Sequence, residues 1–204
     1  MYLSKVKLNW AQAKNPYEQQ RALWHLFPNR PDDQRDFLYR LEQNVKGQGA
    51  VVIMQSQQKP VEAETVELLA VRNLNLSLHQ GQALRFRLRA NPVKTIKDER
   101  KGERIKNGKT YTRTVRVPLI QEEQQQAWLV RKLEGVATLQ ALTVQQELPL
   151  NFRKQRENRS GKIQPVLFDG VLTVENVDAF TELLRRGIGP AKSLGCGMLS
   201  LAPG

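Results

Sequence analysis

Few side chains in this 204-residue chain can carry acid–base or ligand chemistry near neutral pH: two histidines, His25 and His79, and one cysteine, Cys196. A single thiol closes no internal disulfide, and so few soft ligands exclude a structural zinc site. The densest motif is the run RRGIGPAKSLGCGMLSL, which places Gly187, Gly189, Gly195 and Gly197 in the form G-x-G-x5-G-x-G. A dinucleotide loop would need its third glycine where Lys192 stands and would follow a first strand rather than a helix, and the phosphate-loop pattern fails as well. Glycine at this density implies backbone that bends sharply or approaches another molecule closely. Arg185, Arg186 and Lys192 flank it with charge, and a structural turn and a phosphate-backbone contact stand equally open.

Charge is more specific. The chain carries a formal net charge of +12, and nearly all of it is local. Twelve Lys or Arg lie between Arg85 and Arg116 against Asp98, Glu99 and Glu103, and five lie between Arg153 and Lys162 against Glu157. Two concentrated segments on a neutral body point to a polyanion-binding face, with nucleic acid the leading partner and a pair of solvated loops the plain alternative. The longest apolar run, Ala50 to Met54, is far too short to span a membrane. The opening MYLSKVKLNW alternates like a strand and not like a secretory signal, so a cytoplasmic protein is expected.

The elements that must position these groups follow from periodicity. Tyr2 to Leu8 alternates as a half-buried strand, and Asn15-Pro16 opens a helix expected to run to about Phe27. Ala22, Leu23, Leu26 and Phe27 form its core stripe, while Tyr17, Gln20, Arg21 and Trp24 share another face. Phe37 to Leu41 and Gly49 to Gln55 read as strands around a Lys46-Gly47 turn, and a short element then precedes a strand within Val66 to Leu78. Leu84 to Ala90, LRFRLRA, alternates as a strand with one basic, solvent-facing side. Pro118 to Leu133 reads as a helix burying Ala127, Trp128, Leu129 and Leu133. Leu139 to Leu148 and Gln164 to Val174 follow as strands, then a helix from Asn176, its cap, to Arg186, and a closing strand from Gly197 to Leu201. The order describes an α+β chain of two tandem ferredoxin-like (RRM-like) domains, 1–80 and 81–204, the second ending in the glycine-rich loop.

MYLSKV, LWHLFPNRPD with RDFLYRLE after it, RFRLRANPVKTI, RVPLI, SGKIQPVLFDGVLTV and GIGPAKSLGCGMLSLAP together resemble the CasE family. That family comprises the repeat-processing endoribonucleases of type I-E CRISPR systems, within the RAMP superfamily. The resemblance implies two ferredoxin-like domains that bind a hairpin in CRISPR repeat RNA and cut at the base of its stem. It also implies retention on the mature crRNA beside the other Cascade subunits, with no membrane and no small-molecule cofactor. The chemistry it implies is metal-independent: the ribose 2′-hydroxyl attacks the adjacent phosphate and leaves a 2′,3′-cyclic phosphate and a 5′-hydroxyl.

In the family, the first helix carries a tyrosine and, three residues later, a histidine. Tyr17 matches the tyrosine, but Gln20 stands at the histidine position. Glutamine holds a hydrogen bond and exchanges no proton near neutral pH. His25 does not replace it, being about 140° around the helix from Gln20. Lys162, in SGKIQ, matches a substrate-contacting segment and is placed to neutralise the phosphorane or to bind a phosphate. Arg85, Arg87, Arg89, Lys94, Arg113, Arg116, Arg153, Arg156 and Arg159 are the candidate RNA contacts, with Gly187, Gly189, Lys192, Gly195 and Gly197 of the loop. Two readings follow: a repeat endoribonuclease, or a cleavage-deficient RNA-binding subunit of the same fold. A single-strand binder of the RRM type would need exposed aromatics on its strands, where only Phe86 is available.

Overall fold

The computed structural model describes residues 1–28, 35–154 and 159–204. β1 (Tyr2–Leu8) buries Ser4, Val6 and Leu8 and exposes Lys5 and Lys7, the alternation its sequence predicts. A short helix the periodicity did not signal, α1 (Trp10–Ala13), follows because Asn9 and Gln12 form a reciprocal capping box. α2 (Pro16–Trp24) starts where Asn15-Pro16 places it, with the Asn15 side chain accepting from the Tyr17 amide at 3.2 Å. It ends three residues before Phe27, because at His25 the chain tightens into i to i+3 hydrogen bonds. Ala22, Leu23, Leu26 and Phe27 are nonetheless all buried.

β2 (Phe37–Val45), β3 (Gly49–Ser56) and β4 (Glu67–Asn73) join β1 in an antiparallel sheet of order β2-β3-β1-β4. The short element expected between β3 and β4 contains a single bridge, Ala63 to Val66, in place of a helix. The first ferredoxin-like unit therefore keeps the strand order of the fold without its second helix.

The second unit opens with β5 (Ala83–Ala90). The basic stretch after it is a set of paired strands rather than an open loop: β6 (Val93–Lys97), β7 (Glu103–Lys106), β8 (Lys109–Thr112) and β9 (Thr114–Pro118). β6 pairs with β9, and β7 with β8 through an Asn107-Gly108 turn in which both residues have positive φ. Because Thr114–Pro118 is used in that pairing, α3 (Glu122–Leu133) begins later than Pro118. Trp128, Leu129 and Leu133 are buried as expected, but Ala127 is exposed and Gln125 is buried in its stead. Its amide donates to the Leu119 carbonyl at 2.8 Å and accepts from Gln146 at 2.6 Å, which satisfies its polar atoms inside the core.

β10 (Ala137–Gln146), β11 (Leu150–Lys154), β12 (Arg159–Ile163), β13 (Val166–Val174), α4 (Val177–Arg186) and β14 (Leu199–Pro203) complete the unit. The sheet order β10-β13-β5-β14 repeats that of the first unit, second strand, third, first and fourth. Asn176 caps α4 as predicted, accepting from the Ala179 amide at 2.9 Å. Phe168, Phe180, Leu88, Leu129 and Leu172 centre the second core; Val6, Leu8, Leu23, Val52 and Met54 centre the first. No helix among the described residues is long and apolar enough to cross a membrane.

Polar side chains of the first sheet tie it to the second unit. Tyr39 donates to the Ser193 carbonyl at 2.9 Å, Gln55 to the Leu184 carbonyl at 2.9 Å and Arg40 to Ser200 Oγ at 2.7 Å. Cys196 is fully buried near this joint, and burial pushes its thiol from the ordinary 9.0 up to about 12 against the opposing charge of Arg89. An unfolded chain then loses the thiol proton before the folded one does, so stability is intact below pH 9 and falls as pH rises beyond it. Urea unfolding midpoints measured between pH 8 and 10.5 should fall less steeply for Cys196→Ala than for the parent chain.

Candidate nucleic-acid site

α2 packs against β11 and against the short 3₁₀ turn Lys192–Leu194 of the glycine-rich loop, so two distant parts of the second unit converge on it. Asn15 makes the first of these joints. While its Oδ1 caps the helix, its Nδ2 donates to the Arg153 carbonyl at 2.9 Å. The β11–β12 hairpin is thereby hung from the start of α2, and a cavity of about 730 Å³ opens between them. Lys14, Asn15, Asn151, Phe152, Arg153, Ser160, Gly161 and Lys162 line it. Among the described residues, three cations and no carboxylate line this space, which suits a phosphate. Register across the hairpin sets Lys162 opposite Asn151 and Gly161 opposite Phe152. A β-carbon at Gly161 would overlap the Phe152 ring, so glycine there keeps the ring in the lining.

Tyr17 and Gln20 are half-buried on α2, one turn apart and beyond Asn15. Lys162 is exposed. The structure thus gathers Lys162 and the start of the helix into one cavity, with Tyr17 two residues farther on. Gln20 lies one turn deeper along the helix and outside the cavity lining. His25, at the far end of α2, engages Thr65 Oγ1 through Nδ1 at 2.7 Å, a tether for the segment that replaces the missing helix.

The second joint is built by Arg89. The sequence placed it with Arg85 and Arg87 on an open basic face, and the structure corrects this: Arg89 is only 8% exposed. It binds Glu147 Oε2 at 2.7 Å and donates to the carbonyls of Leu194 and Gly195 at 3.3 and 3.4 Å. Burial opposes its charge, and the hydrogen bonds and charge of Glu147 more than offset this, leaving its pKa above the ordinary value. Arg87 remains half-exposed but is engaged by Asp169 at 2.7 Å, and Arg85 is exposed and donates to the Pro203 carbonyl at 3.0 Å. Phe86 is 4% exposed in the core, so β5 offers no stacking platform.

Within the glycine-rich loop, Gly187, Gly189, Gly195 and Gly197 all have positive φ, and protein atoms fill the space beside them. At Gly195 the neighbour is the Tyr39 ring, 3.1 Å from an added β-carbon, and at Gly197 it is the Ile188 carbonyl at 2.8 Å. The Gly197 amide also donates to the Arg89 carbonyl at 2.7 Å. These contacts account for the structural half of the sequence reading. Lys192 is half-buried beside the loop, its Nζ donating to the Arg186 carbonyl at 2.6 Å.

Lys94, Arg113 and Arg116 are exposed on the paired strands β6 and β9 and their approach, and Arg153 is exposed on β11. Arg156 and the side chain of Arg159 lie outside the described residues. Asn15, Lys14, Phe152 and Glu147 are supports or linings that the sequence reading missed. The Asn15-Pro16 helix start was readable, but the tether to residue 153 joins positions 138 apart and leaves no local signal.

Tandem ferredoxin-like units with a cationic cavity where α2 meets a hairpin of the second unit define a class of two-domain protein with a cationic working face. The chain belongs to the CRISPR associated protein family, whose model matches residues 1–203. The Cascade subunit CasE of the Escherichia coli K12 CRISPR system is 45% identical over 203 residues, with both chains covered in full. The crystal structure of the CRISPR-associated protein Cas6e from Escherichia coli matches with a TM-score of 0.83 at 43% identity, again over the whole of both chains. The CRISPR endoribonuclease Cse3, known from Thermus thermophilus and solved bound to a 19-nucleotide RNA, matches with a TM-score of 0.77 at 32% identity over the full length of both.

Asn15 separates two roles that one substitution can pull apart. Asn15→Asp keeps an acceptor for the helix cap but removes the donor to Arg153. The expected outcome is a melting temperature within a few degrees of the parent chain, with amide hydrogen exchange faster by roughly fivefold in β11 and β12 and unchanged in β5, since one hydrogen bond contributes about 1 kcal/mol.

Proposed function

We propose that this protein binds the repeat hairpin of precursor CRISPR RNA, cleaves it by metal-independent attack of a 2′-hydroxyl, and stays with the mature guide as a subunit of a Cascade-type complex in the cytoplasm. The observation that carries the reading is the cavity in which Lys14, Arg153 and Lys162 converge on the start of the helix bearing Tyr17 and Gln20. A scissile phosphate held there by the three cations lies against that helix. The Tyr17 hydroxyl orients the attacking 2′-oxygen, and Lys162 offsets the charge that builds on the phosphorane. The bond from phosphorus to the 2′-oxygen forms as the bond to the 5′-oxygen breaks. One proton must leave the first oxygen and one must reach the second.

Glutamine at position 20 can align these groups by hydrogen bonding and cannot relay those protons. Cleavage in this chain is therefore slow, with solvent moving the protons, and Gln20 is also the observation that supports the second reading, a cleavage-deficient RNA-binding subunit of the same fold. In both readings the exposed cations Lys94, Arg113 and Arg116 on the paired strands follow the phosphates of the A-form stem, whose deep groove hides its base edges. Arg85, exposed on β5, supplements them, while Arg87 contributes what its pairing with Asp169 leaves free.

The decisive experiment is single-turnover cleavage of repeat RNA in EDTA. Gln20→His is expected to raise the rate by about 10² to 10⁴, the usual weight of a positioned acid–base group, with a 2′,3′-cyclic phosphate product that a 2′-deoxy substitution abolishes. Equal rates for Gln20→His and Gln20→Ala would place the proton-transfer group elsewhere. Reversal of the arm charge in Arg113→Glu with Arg116→Glu should weaken hairpin binding and lower its salt slope while leaving the melting transition in place, because exposed arginines contribute little to the core. A flat salt response in the parent chain would move the hairpin off these strands.

A further inference from the structure

A second cationic recess lies at the joint between the units, away from the cavity at the start of α2. Arg35, Asp36, Phe37, Leu38, Gln57, Arg185, Arg186 and Lys192 line its volume of about 450 Å³. Four of these are cations, and they come from three separate places: the entry to β2, the end of α4 and the glycine-rich loop. Arg185 and Arg186 share one carboxylate, Glu182, which leaves their charge only partly balanced.

Among the described residues, no carboxylate forms an ion pair of this kind with Arg35. Its Nε is shielded from solvent and has no hydrogen-bond partner, and burial holds its pKa below the ordinary value. Lys192 is likewise held below its ordinary range, first by burial and then by Arg35, Arg186 and Lys132. Among the described residues, its hydrogen bond to the Arg186 carbonyl uses one of three N–H groups. A fold gains nothing by crowding like charges into a partly closed recess, and an anion placed there would satisfy the Arg35 Nε and relieve the repulsion. Asp36 is the acid in the lining, too little to neutralise the group.

The recess is concave, and a flexible strand can turn one phosphate into it more readily than a rigid duplex can. Lys192 begins the 3₁₀ turn that packs on α2, which connects the recess to the reaction site. We infer that the recess formed by Arg35, Arg185, Arg186 and Lys192 binds a backbone phosphate of the single-stranded RNA that leaves the base of the hairpin. This inference rests on the hairpin-binding reading above. It adds a contact outside the stem, so the strand is held on both sides of the site of cleavage and strands that continue past the hairpin are selected.

The test uses the full chain, the double variant Arg35→Gln with Arg186→Gln, and three probes: the bare repeat hairpin, the hairpin with a single-stranded extension at either end, and inorganic phosphate. The parent chain should bind one extended RNA more tightly than the bare hairpin by roughly tenfold, the weight of one charge-assisted hydrogen bond. The variant should lose that advantage, with a salt slope for the extended RNA lower by about 0.7, and should bind the bare hairpin unchanged. Inorganic phosphate should raise the melting temperature of the parent chain more than that of the variant. A variant that binds both RNAs as the parent does overturns the inference, as does an equal loss for both RNAs. Selective stabilisation by phosphate without any effect of the extension makes the recess a free-phosphate site and overturns the RNA assignment. A lower melting temperature of the variant in phosphate-free buffer makes the cations structural and overturns it too. Failure of the parent chain to bind the bare hairpin sinks the proposed function instead, and the phosphate arm still reports on the recess.

Discussion

The ion pair between Arg89 and Glu147 is the constraint on which the rest of the working face depends. Arg89 grips the glycine-rich loop from two directions, its side chain binding the carbonyls of Leu194 and Gly195 and its own carbonyl accepting from Gly197. Glu147 stands at the root of the β11–β12 hairpin, where its amide donates to Pro165 and its carbonyl accepts from Gln164. The two supports of α2 are therefore fixed to a single salt bridge. Such a pair adds little net stability over apolar residues of the same shape, because both charges must leave water. Its geometry is directional, however, and apolar packing would not fix the loop carbonyls and the hairpin root at once. Removing one partner of a fully buried pair costs on the order of 3–5 kcal/mol, and here the cost is smaller because the Glu147 side chain is 28% exposed and partly solvated.

Around this frame the protein tolerates electrostatic tension. Cations that serve the fold are paired: Arg40 with Glu42, Arg87 with Asp169, Arg89 with Glu147. In the cavity at the start of α2 and in the recess beside the glycine-rich loop, the cations among the described lining residues outnumber the carboxylates by three or more to one. The division separates charge used internally from charge presented to a polyanion, and net charge alone does not reveal it.

Much of the fold was legible because its signals are local. The alternation of Tyr2 to Leu8, the Asn15-Pro16 start, the core stripe of Ala22, Leu23, Leu26 and Phe27, and the Asn176 cap each depend on residues within one or two turns. The ferredoxin-like pattern of both units followed from the order of elements along the chain. What failed depended on distant partners. LRFRLRA correctly puts Arg85, Arg87 and Arg89 on one face, but nothing in that heptapeptide says that Glu147 and the glycine-rich loop cover its last arginine. Pro118 looked like a helix start because the strands that claim Thr114–Pro118 pair with residues 93–97 across an irregular arm. Family resemblance supplied Tyr17, the histidine position at Gln20 and Lys162. The chemistry of Arg35 needed the recess, since an arginine before a strand has no distinguishing pattern.

The long reach of these contacts has a consequence for how the protein is made. Tyr39 meets Ser193 across 154 positions, Arg89 meets Gly195 across 106, and the β5 strand is completed by β14 at Leu199–Pro203. On a ribosome the first sheet can close early, while α2 waits without its second support until the glycine-rich segment has cleared the exit tunnel. A nascent chain stalled before that point carries its basic strands without an assembled reaction site. Translation therefore finishes the tool last, and a prematurely released chain is left charged enough to attract RNA but unable to grip it in register.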